Sequence, residues 1–223
     1  MITLLLFDIN LIDDIMTNQL QSHISLERRT KAMKYHFMED KKRCICSERL
    51  IQYYLQTYAG IEDKIDYGYN KFGKPFLMKY PNIHFNISHS GDWVIIGFSN
   101  HIIGVDIERV QKYEKEIANY CFTKIEKDYL YSAGESEYLN RFVEIWTLKE
   151  SYIKYIGKGL SIDMRSFSID LKHGLVIAQN KIQKDLRFKH FRFRDYYISL
   201  CMKRECDISL KVLSASEMMN LLK

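Results

Sequence analysis

Ile103-Gly104-Val105-Asp106-Ile107-Glu108 is the stretch from which the fold can be read. In an extended chain successive side chains point to opposite faces, so Ile103, Val105 and Ile107 share one face and Asp106 and Glu108 the other. Gly104 lies on the carboxylate face, where its missing side chain leaves room for a ligand. Upstream, residues 83–88 and 93–99 read as two more strands, set off by Ser90-Gly91-Asp92 and Asn100-His101, which makes the region an antiparallel meander. Helical spacing flanks it. Residues 26–58 predict one or two helices with a basic face that includes Arg28, Lys31 and Arg43. Further helices are expected over 114–131 and 139–156, then strands over 167–171, 175–178, 187–194 and 196–202. Helices followed by strands thus occur twice. The expected fold is α+β in two similar halves, residues 1–101 and 102–223, each with helices packed on a small antiparallel sheet.

Composition narrows the function classes. With 223 residues, 47% of them hydrophobic, the chain can bury a sizeable core. It has no run of about 18 apolar residues, so no membrane-spanning helix is expected. The apolar opening, residues 1–7, lacks a basic leader and a small-residue cleavage site, and Asp8 interrupts it; it reads as a first strand. Cys44, Cys46, Cys121, Cys201 and Cys206 form no CxxC pair, which points to free thiols in a reducing cytoplasm and away from zinc. Pro75 and Pro81 are the only prolines and no Ser/Gly-rich tract occurs, so no flexible linker is expected. A formal charge of +5 suits an anionic ligand or an acidic protein partner and falls short of a nucleic-acid-binding tail.

Three segments carry candidate chemistry. Asp106 and Glu108 repel each other on one strand face, and a hard cation such as Mg²⁺ resolves that by taking carboxylate and phosphate oxygens; an ordinary solvated strand face is the rival reading. In Trp146-Thr147-Leu148-Lys149-Glu150-Ser151-Tyr152-Ile153-Lys154, helical spacing places Thr147, Glu150, Ser151, Lys154 and Lys158 on one stripe, with Ile145, Leu148, Tyr152 and Ile156 on the buried side. Glu150 and Lys154 alone would make a surface ion pair, whereas Lys149 sits nearer the apolar side, where a charge is harder to dismiss as solvated. Phe85-Asn86-Ile87-Ser88-His89-Ser90 ends a strand with hydroxyl, imidazole and backbone donors suited to phosphate. A Ser88-His89 nucleophile pair is disfavoured, because adjacent strand residues face opposite sides and no Gly-x-Ser-x-Gly elbow surrounds them.

Together these stretches closely resemble the 4′-phosphopantetheinyl transferase superfamily in its Sfp-type branch. Gly104-Val105-Asp106 matches the first half of that signature, and Trp146 through Lys154 matches the second at the spacing the family requires. The Gly73-Lys74-Pro75 turn, the segment around Ser88 and His89, and Gly157-Lys158-Gly159-Leu160-Ser161 extend the likeness over about residues 22 to 170. The resemblance implies two halves related by a pseudo-two-fold axis, with coenzyme A in the cleft between them. It implies Asp106, Glu108 and Glu150 as ligands of Mg²⁺, which also holds the coenzyme A diphosphate. Arg28 and Lys31, with Arg43 nearby, fall where the family places cations for the 3′-phosphate. Lys74 matches the segment near the nucleotide, and Ser88, His89 and Lys154 match phosphate contacts. Cys44 stands where relatives often carry a hydroxyl residue, and Arg28 replaces a frequent Lys.

The implied reaction is attack of a carrier-protein serine on the β-phosphorus of coenzyme A, releasing 3′,5′-adenosine bisphosphate. Glu150 and Glu126 are both candidate bases, and Lys149 either orients Glu150 or shuttles the proton. The expected partner is a small acidic acyl or peptidyl carrier protein, and the expected state is a cytoplasmic monomer. Tyr120 and Phe122 are either helix core or a patch facing the carrier. A non-catalytic nucleotide-binding module would not need convergent carboxylates, and a nucleic-acid binder should interleave aromatic and basic residues, a pattern seen only loosely in residues 189–197.

Overall fold

The apolar opening forms strand β1 (Ile2–Asp8). Asp13 accepts a hydrogen bond from Met16 N at 2.8 Å and so caps helix α1 (Asp14–Ser22), and Ser25 does the same for α2 (Leu26–Ala32). Helix α3 (Met38–Ala59) follows, then the short strands β2 (Tyr67–Tyr69) and β3 (Pro75–Leu77), and the long strands β4 (His84–Ser90), β5 (Trp93–Ser99) and β6 (Ile103–Arg109). Helices α4 (Lys115–Cys121), α5 (Lys124–Tyr131) and α6 (Glu135–Ile156) come next. Strands β7 (Phe167–Asp170), β8 (Leu175–Ala178), β9 (Lys181–Ile182), β10 (Arg187–Phe193), β11 (Tyr196–Met202) and β12 (Ile208–Val212) lead to a terminal helix α7 (Ala215–Asn220). This computed structural model describes residues 1–113, 115–132 and 134–221.

Two sheets face each other, each with a long helix on its outer side. The first has strand order β12-β1-β5-β4 and the second β10-β11-β6. Leu5 and Phe7 of β1 pack with Ile45, Leu50 and Ile51 of α3, while Leu4 and Leu6 pack with Val105, Ile107, Ile198 and Leu200 of the second sheet. Strand β1 is therefore buried on both faces, as its hydrophobic run, broken only by Thr3, requires. Beyond the second sheet, Cys201 packs against Leu148, Tyr152 and Ile153 of α6. Helices α3 and α6 are both 22 residues long, and each ends at a glycine in the left-handed region, Gly60 at φ 66° and Gly157 at φ 71°. The expected α+β fold in two similar halves is what the chain adopts.

The meander stops one strand short. Strands β4 and β5 form an antiparallel hairpin, but the other edge of β5 is taken by β1, and β6 crosses to the second sheet to pair with β11. The space beside Gly104 is also not for a ligand: a Cβ there would lie 1.9 Å from Ser151 O and 2.5 Å from Tyr155 N, so the backbone of α6 fills it. The helix expected over 114–131 is divided by the capping box of Thr123 and Glu126 into α4 and α5, and its expected first residue, Glu114, lies outside the described residues. At the far end, β12 runs parallel to β1 from the pair Ile2 and Ile208, and Met218 of α7 joins the α3 core, so the last segment returns to the first half.

Candidate active site

The seam between the sheets is built from side chains of one strand bonding the backbone of another. Strand β6 is an edge strand, and its outward N–H groups need partners. Asn86 Oδ1 accepts from Val105 N at 2.7 Å, Ser88 Oγ from Ile107 N at 3.4 Å and Ser90 Oγ from Arg109 N at 3.2 Å. Ser88 then donates to Asp106 Oδ1 at 2.7 Å, and Ser90 to Glu108 Oε2 at 2.7 Å. The alternation of Asn86, Ser88 and Ser90 along β4 thus fixes the two carboxylates of β6. Because Gly104 lets α6 lie close, Lys154 Nζ reaches Asp106 Oδ1 at 2.6 Å and Ser88 Oγ at 2.7 Å. Thr147 and Ser151 of the same stripe are spent on packing, Thr147 bonding Ser199 at 2.8 Å.

Charge accumulates here without being fully answered. Asp106 is 2% exposed, and its Oδ2 is buried with no hydrogen-bond partner. Burial pushes its pKa up, against the pull of Lys154 and Ser88. Glu108 is raised to about 7, by burial first and then by the Asp106 charge. Glu150 is raised for the same two reasons. Among the described residues, no three histidine, cysteine or acidic side chains are drawn together closely enough to hold a metal ion as they stand. The donor set nonetheless suits a hard cation: the Asp106 charge raises the pKa of both Glu108 and Glu150, and one Asp106 oxygen is buried with nothing bonded to it.

These carboxylates form one wall of a cleft of about 440 Å³, whose lining also includes Arg28, Lys31, Ser88, His89 and Lys154. Arg28 leans on the face of Tyr67 with its guanidinium 5.5 Å from the ring centroid, and its Nε is 3.7 Å from Glu48 Oε2. Glu48 is fully buried and also accepts from Ser25 N and Ser25 Oγ. It positions both the cap of α2 and Arg28. Sequence reasoning missed it, although an acid at helical spacing with Cys44, Ile51 and Leu55 was the available signal. His89 stands at the mouth with its outer side exposed, and burial, then Lys154 and Arg43, lower its pKa to about 4. Its imidazole is therefore neutral at neutral pH.

Four of the expected residues are placed apart from the cleft lining. Arg43 is bonded to Gly91 O at 2.6 Å and Asp40 Oδ1 at 2.8 Å. Lys74 points its ammonium at Lys154 O and Ile103 O, beneath a turn whose neighbours Gly73 and Pro75 do line the cleft. Lys149 and Glu126 form a fully buried ion pair at 2.7 Å, completed by Lys149 Nζ to Phe167 O at 3.0 Å. Glu126 also accepts from Thr123 N and Ile169 N, both at 2.7 Å, so both of its oxygens are occupied. Of the two aromatic residues read as either helix core or a carrier-facing patch, Phe122 is core at 1% exposure and Tyr120 is 74% exposed. An apolar trough of about 580 Å³, which includes Trp146, Cys121 and Met164, adjoins the cleft and shares Glu150 and Lys154 with it.

Comparison with known proteins gives the family. A family profile described as 4′-phosphopantetheinyl transferase superfamily matches residues 102–201, and one described as 4′-phosphopantetheinyl transferase, N-terminal, matches residues 16–101. The chain is 36% identical over 217 residues to the 4′-phosphopantetheinyl transferase gsp of Aneurinibacillus migulanus, covering 95% of this chain and 91% of that one. It is 38% identical over 151 residues to the 4′-phosphopantetheinyl transferase Sfp of Bacillus subtilis (strain 168), 67% of each chain. An L-aminoadipate-semialdehyde dehydrogenase-phosphopantetheinyl transferase of Mus musculus is 26% identical over 210 residues, 82% of this chain and 68% of that one. The two carboxylates of β6, the Glu150 and Lys154 pair of α6 and these matches lead to one conclusion: the chain belongs to the 4′-phosphopantetheinyl transferase superfamily.

Proposed function

We propose that the chain binds coenzyme A in this cleft and transfers its 4′-phosphopantetheinyl group to a serine of an apo acyl or peptidyl carrier protein, releasing 3′,5′-adenosine bisphosphate. The observation that carries the reading is Asp106, with one oxygen held by Ser88 and Lys154 and the other buried and unbonded beside two further carboxylates. Asp106, Glu108 and Glu150 would hold a Mg²⁺ ion. Bound there, the ion supplies charge neutralisation for the diphosphate and its leaving oxygen.

The residues of the chain supply the rest. Arg28 and Lys31 attract the 3′-phosphate at the end of the cleft that α2 forms. Lys154 and neutral His89 donate to diphosphate oxygens, and preorganised donors of this kind lower the barrier to phosphoryl transfer. The serine oxygen bonds to the β-phosphorus as the bond to the bridging oxygen breaks, and the electron pair leaves with the bisphosphate. Glu150 takes the serine proton: it faces the cleft, and its raised pKa brings it nearer the range of a useful base. Glu126 is the weaker choice because both its oxygens are engaged within the core. The net charge of +5 favours an acidic carrier. A chain that carries both halves needs no second copy to make one cleft, and we place it as a monomer in the cytoplasm.

Calorimetric titration of coenzyme A tests the site. Binding should require Mg²⁺ in the wild type and be lost in Asp106→Ala, whereas equal binding by both proteins with and without Mg²⁺ would remove the carboxylates from the site.

A further inference from the structure

Asn70 closes a turn and grips the end of a helix with the same carboxamide. Its Oδ1 accepts from Phe72 N and Lys74 N, both at 2.9 Å, which shapes the loop that presents Gly73 and Pro75 to the cleft. Its Nδ2 donates to Gly157 O at 2.8 Å, across the seam and one residue past the end of α6. Lys74 Nζ, on the same turn, donates to Lys154 O in the last turn of α6, where a cation also meets the negative end of the helix dipole. The fit is close: a Cβ on Gly157 would come within 2.9 Å of Lys74 Cδ and 3.3 Å of Asn70 Nδ2. Gly157 thus serves both the left-handed cap at φ 71° and the approach of the turn.

The two bodies joined here both line the cleft. The turn belongs to the first half, whereas α6 carries Glu150 and Lys154. We propose that Asn70 is a positioning residue that clamps the Gly73-Lys74-Pro75 turn to the C-terminus of α6 and so sets the width of the cleft before coenzyme A arrives. The inference rests on the coenzyme A reading given above. Preorganisation of this kind acts on ligand affinity, because a loosened wall must be ordered by the ligand itself. Once coenzyme A is bound, the reacting groups are those of the wild type.

Asn70→Asp separates the two jobs of the side chain, since a carboxylate still accepts from Phe72 N and Lys74 N but cannot donate to Gly157 O. The expected result in steady-state transfer to an apo carrier is a rise of about tenfold in KM for coenzyme A with kcat within about threefold of wild type. A merely structural role would lower the active fraction, and hence apparent kcat, without moving KM. Gly157→Ala attacks the same contact from the other side and should raise KM similarly, with the double variant no worse than either single one. An unchanged KM in folded Asn70→Asp overturns the clamp, as do additive effects; if Asn70→Asp does not fold, an unchanged KM in Gly157→Ala does so. A wild type that transfers nothing and fails to bind coenzyme A defeats the underlying reading, and the clamp with it. A wild type that is active beside indifferent variants defeats the clamp alone.

Discussion

Lys154 Nζ lies 2.6 Å from Asp106 Oδ1, joining a partly exposed cation on α6 to a buried carboxylate on β6. Both also bond Ser88 of β4. The first half, the second sheet and its covering helix therefore meet at one three-way contact, and the cleft opens beside it.

Breaking that contact from the lysine side leaves Asp106 buried and unpaired. Lys154→Ala should cost about 3 kcal/mol of unfolding free energy in the absence of divalent cations. Added Mg²⁺ should raise the melting temperature of the variant more than that of the wild type, by replacing the missing charge. Denaturant titration measures the loss and thermal melts with and without Mg²⁺ measure the shift; equal Mg²⁺ effects on the two proteins would contradict it.

Glu108 gives the site a pH signature. Its pKa stands at about 7 against an ordinary 4.5, so the folded state holds the proton more tightly than the unfolded state. That stabilisation is full below 4.5 and is lost as the pH rises through 7, a swing on the order of 3 kcal/mol. Glu108→Gln cannot lose it. Without divalent cations the variant should be more stable than wild type at pH 8, with the advantage shrinking toward pH 4.5. A difference that does not vary with pH would rule the mechanism out.

The buried pair of Lys149 and Glu126 is a structural bond in this fold. Lys149→Met leaves a buried carboxylate without its cation and should destabilise by about 3 to 5 kcal/mol. Adding Glu126→Gln should recover a large part of that loss, because no buried charge then remains. Chemical denaturation of the three proteins measures it; a stable Lys149→Met protein that has merely lost turnover would instead make Lys149 a participant in the reaction.

Gly104 carries the approach of α6 to β6. A methyl group there meets helix backbone and not a flexible side-chain end, so Gly104→Ala should cost at least about 3 kcal/mol. A thermal melt close to wild type would show that the helix can move away at little expense.

Much of this was legible in the sequence, and what escaped was non-local. The alternation in residues 103–108 and the spacing of Trp146 through Lys154 put Asp106, Glu108, Glu150 and Lys154 on faces that line one cleft, because facing follows from local periodicity. Which strand takes the free edge of β5 depends on β1, far back in the chain, so the meander was extended one strand too far. The parallel pairing of Ile2 with Ile208 is equally invisible to a local pattern. Gly104 was recognised as making room, but only the fold shows that a helix uses it. Helix α1 was missed even though Asp13 stood in place as its cap, since its short run is of mixed polarity. The tie between Glu126 and Lys149 joins two motifs that spacing alone treats as separate.

The most direct test of the central claim is intact-protein mass spectrometry of apo acyl and peptidyl carrier proteins after incubation with this protein, coenzyme A and Mg²⁺. The account predicts a phosphopantetheine adduct on the serine of at least one carrier, absent when the divalent cation is chelated and absent with Asp106→Ala. No adduct on any carrier, or an adduct formed equally well by Asp106→Ala without divalent cations, would contradict it.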